Sequence, residues 1–250
     1  MYGNVVMGIE SYNFEELIED YKLTKGVLLD NDLDENDWDG LIHDFKNLIK
    51  IKTKKEFPQN VNDQLIGAIS AVFLSWESNR AKIYRKLNQI PSDWGTAVNI
   101  QSMVFGNMGD DCATGVVFTR NPSDGSKHIY GEYLINAQGE DVVAGTRTPQ
   151  YITTKAKNAA LANLPSMEET MPTAFTKLKK ILKKLENHYK DMQDVEFTIE
   201  KNKLWMLQTR SGKRTAKSAV KIAVDMVREK IISKKEAVLR IEPNSLDTLL

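Results

Sequence analysis

Apolar positions between residues 14 and 90 recur at helical spacing. Phe14, Leu17, Ile18 and Tyr21 form one stripe. Trp38, Leu41, Ile42 and Phe45 form another, behind an Asp34 placed to cap the helix. A long segment from Asn62 carries Leu65, Ile69, Val72, Phe73 and Trp76 and continues to Tyr84 and Leu87, again at core-facing helical spacing. The period then shortens. Residues 96–105, 114–120 and 128–136 predict strands, with turn chemistry at Asn121-Pro122-Ser123-Asp124-Gly125. Residues 154–170 are polar and rich in Ala and Asn, which predicts a loop excursion. A basic helix is expected over about 173–190 and another helix over about 217–230. Ser233 with Glu236 makes a capping box for a short third one.

The sharpest pattern lies between these helices. Asp194, Glu196 and Thr198 alternate with Val195, Phe197 and Ile199, as in a strand with one polar and one apolar face. A polar turn around Lys201 and Asn202 leads to a second strand, residues 203–210, so a β-hairpin is predicted. A two-residue loop pairs Glu200 with Lys203 and puts Glu196 opposite Leu207. A three-residue loop pairs Ile199 with Lys203 and needs a positive φ at Asn202, which Asn tolerates. The second register is chosen. It sets Asp194 opposite Gln208 and Glu196 opposite Met206, with Gln208 on the diagonal and Arg210 one pleat further on.

Two carboxylates and an amide oxygen form a hard, all-oxygen donor set suited to Mg²⁺, which completes its shell with water and substrate phosphate. A neighbouring Arg suits a phosphoryl group whose charge is changing. A solvated sheet face with ordinary surface charges is the competing reading. Two features favour chemistry. Gln208 and Arg210 interrupt an otherwise apolar strand, and that strand runs into the basic loop Ser211-Gly212-Lys213-Arg214.

Composition narrows the classes. The chain has 250 residues, 41% hydrophobic, with 34 basic and 34 acidic side chains. This balance argues against a dedicated nucleic-acid binder. A single cysteine, Cys112, excludes an internal disulfide and a multi-cysteine zinc site. The first ten residues lack a basic signal-peptide region, and the longest apolar run, residues 66–74, is too short to span a bilayer. A soluble, cytoplasmic protein without membrane or nucleic-acid partners is the expectation. His43, His128 and His188 share no catalytic or metal spacing.

Smaller signals lie elsewhere. Val98-Asn99-Ile100-Gln101-Ser102-Met103-Val104-Phe105-Gly106 is compatible with an adenine-binding strand and hinge, Met103 and Val104 offering backbone donor and acceptor; a buried strand explains it equally well. The polar loop from Gly106 to Gly115 could turn backbone N–H groups toward phosphate, although it lacks a P-loop lysine. Glu140 stands where it could accept ribose hydroxyls, or it is a plain loop acid.

Asp93-Trp94-Gly95-Thr96-Ala97-Val98-Asn99, Met103-Val104-Phe105-Gly106-Asn107-Met108-Gly109, Ala137-Gln138-Gly139-Glu140-Asp141-Val142-Val143-Ala144-Gly145 and the stretch from Asp194 to Arg214 together resemble the nucleotide-binding domain of the pyruvate, phosphate dikinase family, an ATP-grasp fold. The resemblance spans nearly the whole chain and implies an α+β fragment: a helical subdomain over 1–94, a mainly antiparallel nucleotide-binding part over 95–214 and C-terminal helices over 215–250. It implies that Gln101, Met103 and Val104 line an adenine pocket, that Glu140 holds the ribose and that Thr114 lies near the nucleotide. Asp194, Glu196 and Gln208 would position Mg²⁺ and the phosphates of ATP, and Arg210 would stabilise the transferring phosphoryl group. In the family ATP donates its β-phosphoryl to a carrier histidine on a swivelling domain, phosphate takes the γ-phosphoryl, and pyruvate bound in a barrel domain becomes phosphoenolpyruvate. The other ATP-grasp half, the carrier-histidine domain and the barrel are expected outside these residues, so the chain reads as a fragment, inactive alone, of a homo-oligomeric enzyme. Cys112-Ala113 departs from the family's usual Ser-Gly. A phosphoenolpyruvate synthase-like part and a non-catalytic assembly module are the alternatives.

Overall fold

The structure, a computed structural model, describes residues 1–145 and 147–246; the last four residues of the expected C-terminal helical span lie outside them. The chain divides into two compact units, residues 1–101 and 102–250. The architecture is α+β, as expected, with all five strands antiparallel.

The first unit is helical: α1 (Tyr2–Val5), α2 (Tyr12–Lys25), a 3₁₀ turn (Asp30–Asp32), α3 (Glu35–Thr53), α4 (Val61–Ser75) and α5 (Asn79–Leu87). Asp34 caps α3 as expected. Its carboxylate accepts the Asn36 and Asp37 amides, and Asp37 accepts the Asp34 amide at 2.8 Å. Leu41 and Ile49 of α3 are buried, and Phe45 meets Phe14 of α2 edge to face with centroids 5.4 Å apart. The segment from Asn62 to Leu87 is not one helix. Ser78 takes extended backbone and its hydroxyl accepts the Ala81 amide, which starts α5 afresh. No residue of α4 is buried, with Ile66 at 61% and Leu74 at 71% exposure. The core-facing reading fails there: the main packing partner of α4 among the described residues is the four-residue α1, which leaves most of its apolar side chains exposed.

Residues 96–105 form no strand, contrary to expectation. Among the described residues no neighbouring strand pairs with their backbone, and without a ladder an apolar sequence stays irregular. The second unit's elements begin with β1 (Ala113–Phe118), β2 (Tyr130–Ile135), α6 (Gly139–Ala144), β3 (Gln150–Tyr151), α7 (Thr154–Ala159), α8 (Met167–Thr170) and α9 (Pro172–Tyr189). They continue with β4 (Gln193–Glu200), β5 (Lys203–Ser211), α10 (Ala216–Arg228), α11 (Lys234–Leu239) and α12 (Pro243–Leu246). The sheet order is β3-β2-β1-β4-β5. One face is covered by α9, whose Phe175, Leu178 and Leu182 pack on Val117, Tyr133, Val195 and Phe197. A second cluster joins Met192 to Ile222, Met226 and Ile232, with Phe118 against it. The capping box at Ser233 and Glu236 forms as expected.

The hairpin register differs from the one chosen. Lys201 and Asn202 both take positive φ, 49° and 62°, which makes a two-residue turn pairing Glu200 with Lys203. The register then slips between Glu196 and Phe197, so Leu207 is accommodated as an extra residue. Beyond it Glu196 lies opposite Gln208, and Asp194 opposite Arg210.

Residues 154–170 are ordered rather than a loop. Thr153 caps α7, and Ser166 and Met167 at the start of α8 are fully buried. The Glu169 carboxylate receives Lys157 at 2.7 Å and both the amide and the hydroxyl of Ser166. Polar residues read as loop-like there are occupied in capping. Lys157, then the Ser166 amide and hydroxyl, hold the Glu169 carboxyl down at about 2. Its contribution is complete above the unfolded carboxylate value and is lost as pH falls toward that number. Amide exchange within 154–170 is therefore expected to accelerate on acidification before that of the sheet. Glu169→Gln should reproduce this at neutral pH. Unchanged protection would assign the order to Met167 packing alone.

Arg120, at the end of β1, is fully buried. Its guanidinium donates to Glu186 of α9 and to Glu229 after α10, with the closest contact to each at 2.8 Å. Burial pulls its pKa down, but the two carboxylates outweigh this and leave it above the ordinary value. Arg120→Ala strands two acids at this junction and should cost about 3–5 kcal/mol in chemical denaturation. A loss below about 1 kcal/mol would show that water satisfies the acids in its place.

Candidate functional site

The face of the sheet turned away from α9 collects the polar residues of the hairpin. Its strands alternate, so Val195, Phe197 and Ile199 enter the core while Asp194, Glu196, Thr198 and Glu200 face the other way. The slip at Leu207 turns Gln208 and Arg210 to that same side. Without it both would point into the apolar layer beneath α9.

Asp194, whose side chain is 10% exposed, accepts the Arg210 Nε–H at Oδ2 over 2.8 Å. A terminal nitrogen of Arg210 lies 3.8 Å from Glu196 Oε1. Arg210 is 58% exposed, so its fork reaches toward solvent from an anchored base. The hydrogen bond that Arg210 donates to Asp194, then the Asp194 charge, raise the Arg210 pKa; Glu196 adds a smaller push. Glu196 and Gln208 oppose each other as the next pair. The donor set fits Mg²⁺. It comprises one amide and two carboxylate side chains, and Mg²⁺ takes one or two protein carboxylates plus water and substrate oxygens. Among the described residues no group of three or more His, Cys, Asp and Glu is arranged to hold a metal.

Thr114 lies on this face, paired with Thr198. It is buried, and its hydroxyl donates to the Phe197 carbonyl at 3.3 Å. Glu132 of β2 was missed from the sequence. It stands in the same cross-strand row as Glu196, with Val116 between them, and its alternation with Tyr133 is the signal that marks it.

The other candidates occupy the turn end of the hairpin and the loops beside it, except one. Gln101 is exposed and closes the first unit. Met103 is 73% exposed and Val104 half-buried at the start of the second. The residues after them are pinned. The Phe105 amide donates to Glu200 Oε1 at 3.2 Å, and the Gly106 carbonyl accepts the Ala137 amide at 2.8 Å. A Cβ on Gly106 would stand 2.3 Å from the Ala137 carbonyl oxygen, so only glycine permits this approach. In the loop that follows, the Gly109 amide is taken by Asn136 Oδ1 and the Cys112 amide by the Gly109 carbonyl. These two N–H groups therefore do not point at a phosphate. Glu140 is exposed in the first turn of α6, which packs at β1 and β2. In the basic loop, Arg214 closes on Asp191 at 2.7 Å, leaving Lys213 exposed.

Comparison with known proteins matches residues 52–173 and 162–231 to the family described as pyruvate phosphate dikinase, AMP/ATP-binding domain. Over 250 residues the chain is 59% identical to a pyruvate, phosphate dikinase of Rhizobium meliloti (strain 1021), covering all of this chain and 28% of that protein. The dikinase of Clostridium symbiosum is 53% identical over 251 residues, with 27% of it covered. A chloroplastic dikinase of Flaveria pringlei is 52% identical over 250 residues, with 25% covered. The chain thus spans about a quarter of the length of these relatives. Among the described residues no helix is long and apolar enough to cross a membrane. This chain, with its five-stranded antiparallel sheet and matched over its whole length by such relatives, belongs to the pyruvate phosphate dikinase AMP/ATP-binding-domain family.

Proposed function

We propose that this chain supplies one wall of an Mg²⁺-ATP phosphotransfer site. One observation carries the reading: Asp194–Arg210 and Glu196–Gln208 are successive cross-strand pairs on one face, away from α9. Asp194, Glu196 and Gln208 would hold Mg²⁺, which when bound supplies positive charge to the phosphates. Asp194 anchors the Arg210 Nε–H, so the terminal nitrogens keep a fixed direction and can fork onto a phosphoryl group as its charge spreads. Thr114 serves by shaping the floor, since its hydroxyl is committed to the Phe197 carbonyl. Gln101, Met103 and Val104 take the adenine, and Glu140 takes the ribose.

The phosphoryl acceptor in this reading is a carrier histidine on another domain, and pyruvate is the final acceptor in a barrel domain. In this reading both, with the opposing ATP-grasp half, are supplied from outside these residues; the chain covers 28% of the Rhizobium meliloti relative, which leaves room for them. Catalysis by positioned cations and donors requires both walls around the phosphates.

In a complete dikinase carrying this segment, Glu196→Ala and Gln208→Ala should abolish partial reactions that need Mg²⁺-ATP and spare pyruvate–phosphoenolpyruvate exchange. Arg210→Lys should fail in the same half-reaction, since a point charge does not reproduce a planar fork. Equal loss of both half-reactions would make these residues structural. The 250-residue chain alone, given ATP, Mg²⁺, phosphate and pyruvate, should form no sustained AMP and phosphoenolpyruvate. Turnover of both would require a catalytic site elsewhere in these residues.

A further inference from the structure

The basic helix α9 has a second face that the nucleotide site does not use. Beside it, on the helix-covered side of the sheet, lies a cleft of about 530 Å³, within the range that small ligands occupy. Its floor is apolar: Phe175 and Leu182 of α9, Ile129 before β2 and Ile231 after α10. Its rim carries Lys179 and Lys183, one turn apart on α9, with Lys155 of α7 and Lys127 from the turn before β2. His128 completes the rim, its Nδ1 held by the Ser126 hydroxyl at 2.9 Å.

Three of the four rim lysines, Lys155, Lys179 and Lys183, form no ion pair or hydrogen bond among the described residues. Lys127 reaches Glu229 at 2.7 Å. Two acids line the cleft, but Glu186 is engaged bidentately by Arg120 and Glu168 accepts the Thr154 amide. A chain of zero formal net charge thus gathers unpaired amines around one apolar hollow. Low-dielectric walls strengthen such a field.

We propose that this cleft binds a small organic phosphate, its apolar body on Phe175, Leu182 and Ile231 and its phosphate between Lys179, Lys183 and Lys155. The apolar floor selects against a bare inorganic anion, which gains nothing from it, and the short span of the cleft against an extended polyanion, which needs a long track. The site lies across the sheet from Asp194 and Glu196 and is independent of their role.

Phenyl phosphate is the probe, with inorganic phosphate and a single-stranded oligonucleotide as comparisons, measured by calorimetry on the 250-residue chain. Phenyl phosphate should bind more tightly than inorganic phosphate. The double substitution Lys179→Ala and Lys183→Ala should weaken it at least about tenfold, the scale of losing charge-assisted hydrogen bonds. Lys179→Arg with Lys183→Arg should retain binding, and Arg210→Ala on the opposite face should leave it unchanged. Equal affinity for inorganic phosphate, no effect of the alanine pair, or preference for the oligonucleotide would each overturn the proposal. The lysines are exposed, so the variants should melt as the parent does; a parent that binds no phenyl phosphate at millimolar concentration also overturns it.

Discussion

The slip in strand register at Leu207 is the constraint on which the hairpin depends. A strict period of two along β5 would place Met206 and Gln208 on one face, and one of them would be wrong. The extra residue lets Leu204 and Met206 pack on the core while Gln208 and Arg210 cross to the polar side. Burial of Phe197 and Ile199 holds the turn half of the hairpin. The Asp194–Arg210 pair and the Thr209 hydroxyl on Gln193 at 2.9 Å hold the far half. Bulges bend a strand and re-aim its side chains, and this one separates a stabilising half from a chemical half.

The core beneath this hairpin is correspondingly tight. Gly115 of β1 lies opposite Phe197, and a Cβ there would stand 2.7 Å from the aromatic ring. The ring fills the space that a side chain at 115 would take, so Phe197 reaches across β1 toward α9. Arg120 then ties the end of the same strand to the ends of α9 and α10 through two acids. Apolar fit sets the middle of β1 and charge sets its end. The buried charges are matched by fork geometry rather than by bulk attraction.

Helix positions were legible because their signals are local. The residues of the Asp34 cap, of the Ser233 box and of the Trp38–Phe45 stripe each lie within a few positions of one another. The hairpin's existence was legible from alternation, and so were its two faces. Its register was not, because choosing a three-residue turn ignored the other way to keep Glu196 near Gln208, which is a bulge. The run Leu204-Trp205-Met206-Leu207 carries that signal: four apolar residues cannot alternate. The strand expected over 96–105 and the loop expected over 154–170 failed for opposite reasons. The first has suitable residues and no ladder partner. The second has polar residues whose side chains satisfy their own helix ends, a competition that composition does not resolve. Glu132 was missed because its place in the row of Glu196 depends on pairing across two strand boundaries.

Phe105 and Gly106 are pinned twice. Gly106, without a side chain, sits against the Ala137 carbonyl, and the Phe105 amide is held by a single carboxylate, Glu200, at the hairpin turn. Glu200 ends the strand that carries Asp194 and Glu196, so the backbone entering the second unit is fastened to the same strand as the hairpin's acids. A side chain at position 106 would therefore push apart the loop at Ala137 and the start of β1 together, because its Cβ would meet the carbonyls of both Ala137 and Ala113.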